Sequence, residues 1–225
     1  GVRDPYIQSS FGVHQDGGIR PIINAKPVNA VQEIDRYREN YLLTLNNVVQ
    51  QDDWATRVDM KKMYLHMRLG RKLQRKSYAL VWEPNGRFAR IIEMLCVFFG
   101  TANAPFAMQY IMKRVNGHFR KTRFSIRIAG QLDDYVLFAK TLRNAFLGIQ
   151  KYVNYLGNDL GFVLHDPEEG KWNKTVTVPR RIFHALGGVI NTSLMFRYLK
   201  PSKVRSVRKR LRHIRNRCKN GITLK

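Results

Sequence analysis

Two periods of apolar residues divide the chain. Within the first 31 residues, rich in Gly, Pro and Asn, short extended pieces stand at 6–8 and 12–14. Asp16-Gly17-Gly18 then forms a hairpin turn ahead of a strand over 19–23 that carries Arg20. Pro21 and Pro27 mark this as an edge or irregular strand. From Val31 to about Gln50 the period becomes helical, with Val31, Ile34, Tyr37, Tyr41, Leu42, Leu45, Val48 and Val49 on one face. A strand from Trp54 leads to Asp59, followed by a turn or short helix around residues 61–64. Residues 77–83 and 88–99 read as two strands joined by Pro84-Asn85-Gly86. Gly100 to Pro105 is a loop, and Pro105 sits in the first turn of a helix reaching about Phe119. Residues 126–140 form a hairpin, and a helix over 141–157 follows, with Leu142, Ala145, Phe146, Ile149, Val153 and Leu156 inward. Strand-like pieces at 161–165, 175–179, 185–191 and 194–199 precede a last helix opened by Pro201. Its stripe of Val204, Val207, Leu211, Ile214 and Cys218 is expected to pack on the body of the domain.

The hairpin at 126–140 carries the first candidate chemistry. Asp133 and Asp134 interrupt an otherwise apolar, strand-forming run, at or beside its tight turn. Two adjacent carboxylates repel, and burying them is costly unless a cation lies between them. An exposed Asp-Asp turn is the bland reading. The sharper one is a divalent metal site, since paired hard oxygen ligands suit Mg²⁺ held together with substrate phosphates. Asp59, ending another apolar strand, would be a helix N-cap if taken alone and a third carboxylate if the strands are neighbours. Asp52 and Asp53 read as loop or capping residues with no assigned chemistry.

Charge narrows the partners. Forty Lys and Arg against sixteen Asp and Glu give a net charge of +24 over 225 residues. An excess of this size on a folded chain points to a polyanion, most simply nucleic acid. The final helix concentrates it: Lys203, Arg205, Arg208, Lys209, Arg210, Arg212, Arg215 and Arg217 surround its apolar stripe. No apolar run reaches membrane-spanning length and no signal-peptide pattern opens the chain, so no membrane partner is expected. Two distant cysteines, Cys96 and Cys218, indicate neither a zinc site nor a disulfide framework and fit an intracellular, reducing compartment; nucleus, cytoplasm and mitochondrion stay open. A start at Gly1 and an abrupt end suit a piece of something longer.

Asp59, an aromatic five residues later, a Gly/Pro loop and helix, then Asp-Asp in a hairpin: this order resembles the palm of reverse transcriptases. Residues 20–29 look like the fingers strand of these enzymes, 53–67 like the first catalytic block, and 98–112 like the template- and nucleotide-contacting block. Gln131 to Asp134 is similar to the second catalytic block, 161–174 to the block carrying a basic residue near the incoming phosphates, and 185–196 to the primer grip. The resemblance runs from about Tyr6 to Lys225. The Asp-Trp before the first block and the tail at 189–204 look most like the retroelement branch with tyrosine recombinases (DIRS-like).

The resemblance implies an α+β palm with an antiparallel sheet and flanking helices, a small fingers subdomain and the start of a helical thumb. Fingers and the fingers–palm junction would fall at 1–58 and 65–98, palm with primer grip at 59–64 and 99–198, and the basic thumb helix region at 199–225. It implies an RNA-directed DNA polymerase acting on an RNA template, a DNA primer or RNA–DNA duplex and a dNTP, with further domains or subunits as companions. Asp59 and Asp133 would bridge two Mg²⁺ ions (Mn²⁺ as the alternative), with Asp134 supporting and Met60 lending a backbone carbonyl. Arg20 would hold the triphosphate, beside Phe99 and Gly100, and Tyr64 would exclude a 2′-hydroxyl. Lys174 would protonate pyrophosphate, with Lys171 as its rival. Leu186, Gly187 and Gly188 would grip the primer, and Lys203, Arg205, Arg208, Arg212 and Arg215 would contact nucleic acid. Gln131 stands where the family usually has Tyr, Val97 where it has Pro, and Gly188 where it has an aromatic. These departures keep a second class open, a catalytically silent reverse-transcriptase-like subunit that binds RNA in a ribonucleoprotein such as a ribosome. An RNA-templated RNA polymerase is disfavoured by Tyr64.

Overall fold

The computed structural model describes residues 6–15, 18–33, 41–82, 89–121, 125–166, 175–185, 188–199 and 201–219. Three sheets organise them. The first has the order β2-β1-β4-β5, from β1 (Tyr6–Gln15), β2 (Gly18–Ile23), β4 (Ser77–Trp82) and β5 (Ala89–Glu93). β1 pairs antiparallel with β2 and parallel with β4. The second and central sheet is antiparallel throughout, with the order β6-β7-β3-β8: β3 is Trp54–Asp59, β6 Arg127–Gln131, β7 Asp134–Ala139 and β8 Val176–Arg180. The third is a meander of β9 (Ile182–Ala185), β10 (Gly188–Asn191) and β11 (Phe196–Leu199).

The central sheet has a core on each face because its strands alternate two buried sets. Val58, Ile128, Tyr135 and Leu137 point to one side. There they meet α4 (Ala104–Arg120), α5 (Leu142–Asn154) and the π-helical turn Tyr155–Asp159, through Met108, Met112, Phe119, Ile149, Tyr152 and Leu156. Ala55, Ala129, Val136 and Phe138 point to the other side, against Leu45 of α2 (Tyr41–Val48) and Phe183, Ala185 and Ile190 of the meander. Thr141 caps α5 by accepting from the Asn144 N–H at 3.1 Å. Tyr152, fully buried, donates to Asn116 Oδ1 at 2.6 Å, and burial holds its phenol far above the usual tyrosine range. Gly130 is required where it stands: it pairs with Tyr135, and a Cβ there would run into the Tyr135 ring.

Several elements differ from what periodicity predicts. The first helix is α1 (Lys26–Ala30), with Pro27 in its first turn rather than at a strand edge; Val31 ends it, the next described helix is Tyr41–Val48, and Ile34 and Tyr37 lie outside the described residues. The segment after β4 is strand only to Glu93, then coil with a single bridge at Cys96 to Arg68. Residues 161–165 are not a strand but an edge segment with one bridge, Leu164 to Met60. Residues 185–191 split into β9 and β10, which fold back on each other. α5 is rotated: Ala145, Gly148, Ile149, Tyr152 and Leu156 face in while Leu142 and Phe146 are exposed, because Gly148 lets Ile126 pack against the helix backbone. The stripe on α6 (Pro201–Lys219) does not pack on the palm. Val204 is half-buried, but Val207, Leu211 and Ile214 are 49%, 58% and 40% exposed, since no described element lies over them.

Candidate active site

The hairpin of β6 and β7 closes through only two residues, Leu132 and Asp133, with Gln131 paired to Asp134. Leu132 takes φ 54°, a left-handed conformation costly for a branched side chain. Lys62, three residues after Asp59, takes φ 50° as well. Backbone strain therefore flanks the carboxylates on both strands. β3 runs antiparallel to β7 with Asp59 opposite Asp134, so two of the three acids are cross-strand neighbours and Asp133 stands in the adjoining turn. The Met60 N–H donates to the Asp133 carbonyl at 2.9 Å, locking the turn to the end of β3.

Met60 is held from its other side by Lys61 N–H to the Val163 carbonyl at 2.8 Å and His165 N–H to the Asp59 carbonyl at 2.9 Å. In an antiparallel bridge flanked this way, the N–H and C=O of Met60 both point away from Leu164, toward the Asp133 turn. Thr175 Oγ1 accepts from the Asp59 N–H at 3.2 Å. Asp133 is exposed and Asp59 half-buried.

Asp134 has a partner that alternation along β3 could have revealed. Arg57 lies two residues before Asp59, on the same face of the strand. Its Nε and Nη2 donate to the two oxygens of Asp134 at 2.6 and 2.7 Å. Both side chains are largely withdrawn from solvent, at 15% and 14% exposure. Among the described residues no three His, Cys, Asp or Glu side chains form a ready ligand set for a metal.

Tyr64 sits in the 3-10 turn Met63–His66 and meets Phe99 edge-on, with ring centroids 5.1 Å apart. Burial first, and the nearby Asp133 carboxylate second, raise its phenol above the usual tyrosine range. Asp133 thus meets Met60 through its backbone carbonyl and acts on Tyr64 through its carboxylate. His66 fastens this turn to the edge segment: its Nδ1 bonds the Met63 carbonyl at 3.0 Å and its Nε2 accepts from the Val163 N–H at 2.9 Å. Gly100, at φ 100°, is held by Asn29, which donates to the Gly100 carbonyl at 2.9 Å and accepts from the Ala102 N–H at 2.8 Å. A Cβ on Gly100 would come within 3.7 Å of the Ile23 carbonyl, so the end of β2 borders this loop.

The structure thus brings Asp59, Met60, Asp133, Asp134, Tyr64 and Phe99 to one end of the central sheet, with Gly100 in the loop that follows Phe99. Arg20 lies on β2 opposite Val13, and its side chain is outside the described residues. Lys171, Lys174, Leu186 and Gly187 are outside them too. Gly188 opens β10 in a tight hairpin, where an added Cβ would crowd Arg197 and the Tyr198 carbonyl. Lys203, Arg205, Arg208, Arg212 and Arg215 are exposed on α6. Among the described residues no helix is long and apolar enough to cross a membrane.

Sequence reasoning missed Asp53 as well as Arg57. Asp53 is fully buried, and its carboxylate takes Arg127 Nη2 at 2.5 Å and the Gln50 N–H at 2.7 Å, with Lys140 at 3.5 Å. Its carbonyl accepts from the Thr192 hydroxyl at 2.6 Å, tying the central sheet to the turn after β10.

No protein-family model matches the sequence, and no curated protein matches it. Solved structures do. The foamy viral protease-reverse transcriptase in complex with double-stranded DNA superposes with a TM-score of 0.69 at 17% identity, over 89% of this chain and 38% of that one. Its dRH form with double-stranded DNA gives 0.67 at 16%, over 89% and 32%. The complex with RNA/DNA hybrid gives 0.67 at 15%, over 89% and 24%. This chain therefore spans well under half of each of those chains. What the likeness establishes is the architecture: an α+β fold similar to that of reverse transcriptase domains.

Proposed function

We propose that this chain is the polymerase part of an RNA-directed DNA polymerase, extending a primer 3′-hydroxyl with dNTPs along an RNA template. The observation that carries the reading is the β3–β7 register, which sets Asp59 against Asp134 with Asp133 in the turn beside them. The foamy viral structures hold double-stranded DNA or an RNA/DNA hybrid, which supports nucleic acid as the partner here. The finer assignment to the DIRS-like branch rests on the sequence alone.

A donor set of hard carboxylate and carbonyl oxygens suits Mg²⁺, or Mn²⁺. Asp59 and Asp133 would hold the two ions, with the Met60 carbonyl as a neutral ligand. Such ions, when bound, lower the pKa of the attacking hydroxyl and offset charge on the leaving pyrophosphate. The protein's own part is positioning. The Asp133 turn is pinned to Met60, the Tyr64 ring is braced by Phe99, and the Gly100 loop is clamped by Asn29. Arg20 would neutralise the triphosphate, Lys174 would donate a proton to pyrophosphate, and residues 186–188 would hold the primer end. The test is primer extension on RNA and DNA templates. A chain that binds RNA but extends nothing would be a structural RNA-binding subunit instead.

Tyr64 is the proposed sugar selector. Tyr64→Val should raise ribonucleotide use relative to deoxynucleotide by on the order of ten- to a hundred-fold, the usual worth of sterically rejecting a hydroxyl. Tyr64→Phe, which keeps the ring on Phe99, should leave the ratio unchanged. Competition between rNTP and dNTP in single-nucleotide extension measures it, and an unaltered ratio in an active Tyr64→Val variant would remove the role.

The cations of α6 should track a phosphate backbone. Replacing Arg208, Arg212 and Arg215 by Gln keeps helix propensity and deletes three charges. Each lost contact removes about 0.9 from the log–log salt slope on B-form DNA, so the slope should flatten by about two to three. A salt titration of duplex binding reads it directly. An unchanged slope would turn this helix toward protein or solvent.

A further inference from the structure

We propose that Arg57 is a positioning residue that binds Asp134 away from the metal set, so that Asp59 and Asp133 alone supply the carboxylates; this rests on the nucleotidyl-transfer reading above. The geometry begins with alternation: Arg57 and Asp59 share a face of β3, and the register makes Asp134 the direct neighbour of Asp59 and the diagonal neighbour of Arg57. Two carboxylates directly opposite would repel. The planar guanidinium answers that repulsion with two parallel bonds of 2.6 and 2.7 Å, one to each oxygen of Asp134. A divalent ion approaching those oxygens would meet a cation already seated on them. The pair is also shielded, at 15% and 14% exposure, so water does little to loosen it. Asp133, by contrast, is exposed in the turn. A lysine at position 57 could make one such bond but not the bidentate pair, so the arrangement is specific to arginine.

The test is equilibrium binding of Mn²⁺ to the purified chain, read by loss of the free-ion EPR signal, with no need for turnover. Asp134→Asn should keep the wild-type affinity within about threefold, while Asp59→Asn and Asp133→Asn should each lose at least about tenfold. Arg57→Gln should tighten Mn²⁺ binding by about tenfold, since it removes a cation and releases a carboxylate. The double variant Arg57→Gln/Asp134→Asn should fall back to within about threefold of wild type, provided the released carboxylate is what captured the ion. Should Arg57→Gln not fold, Arg57→Lys keeps the charge and loses one bond, and it should bind Mn²⁺ tighter than wild type. An Asp134→Asn variant as weak as Asp133→Asn would make Asp134 a ligand and overturn the proposal while leaving the polymerase reading intact. Unchanged affinity in the Arg57 variants would also overturn it. If Asp59→Asn and Asp133→Asn bind Mn²⁺ as wild type does and no variant extends a primer, the polymerase reading falls and this proposal with it.

Discussion

Asp133→Asn abolishes templated nucleotide incorporation and leaves nucleic-acid binding intact: that is the outcome expected if the Asp133 turn is the centre of the site. The substitution keeps the side chain's size and its turn propensity. It also keeps the backbone bond from the Met60 N–H to the Asp133 carbonyl, which holds the turn against β3. What it removes is one negative charge at an exposed position. A metal-dependent polymerase that loses a bridging carboxylate should slow by about three orders of magnitude or more, equivalent to about 4 kcal/mol of transition-state stabilisation. Affinity for a primer–template should stay equal or rise slightly, because a charge of the same sign as phosphate has gone. Single-turnover extension with Mg²⁺ and a parallel filter-binding isotherm separate the two effects. Residual extension near the wild-type rate would dismiss Asp133 as a metal ligand, and lost binding would point instead to a misfolded hairpin.

The second large effect concerns stability and contrasts two adjacent residues of the same type. Asp53 is fully buried between Arg127 and the Gln50 N–H, whereas Asp52 is 55% exposed and lies 3.5 Å from an Arg181 that is itself 43% exposed. Asp53→Asn leaves Arg127 facing a neutral amide in a poorly hydrated site. Breaking one side of such a pair costs about 3 kcal/mol, at the low end of the usual range because Arg127 retains 26% exposure. Asp52→Asn removes only a surface pair and keeps a residue type that tolerates the φ of 62° found there, so it should cost less than about 1 kcal/mol. Urea unfolding of both variants gives the comparison. Equal midpoints would mean that the Asp53 network contributes no more than a surface contact. A loss of about 3 kcal/mol is a large share of the stability of an ordinary domain, so Asp53→Asn should also express poorly at elevated temperature.

Asp53, α5 and α6 show where local pattern stopped being informative. In the sequence Asp52 and Asp53 are indistinguishable, two acids in a polar loop before a strand. Their difference arises only when Arg127, 74 residues later, closes over one of them. On α5 the more apolar stripe with Leu142 and Phe146 was not the one buried, because Gly148, lacking a side chain, admits Ile126. On α6 the stripe is regular in the sequence, yet a stripe states only what a helix can bury and not whether anything described lies over it.

What the amino-acid order determined by itself is the set of elements that depend on short-range physics. The strand-forming runs flanked by turn residues became β3, β4, β6 and β7, with the paired acids at or beside the hairpin turn as their pattern implied. Pro105 and Pro201 opened the helices expected of them. The α+β class and the net charge of +24 were equally legible. The tertiary structure alone decided how the strands register. A shift of one residue in β3 against β7 would send Asp59 to the opposite face, into the core that Val58 fills. That register, made by contacts about 75 residues apart, sets Asp59 opposite Asp134 and brings Arg57 within reach of it.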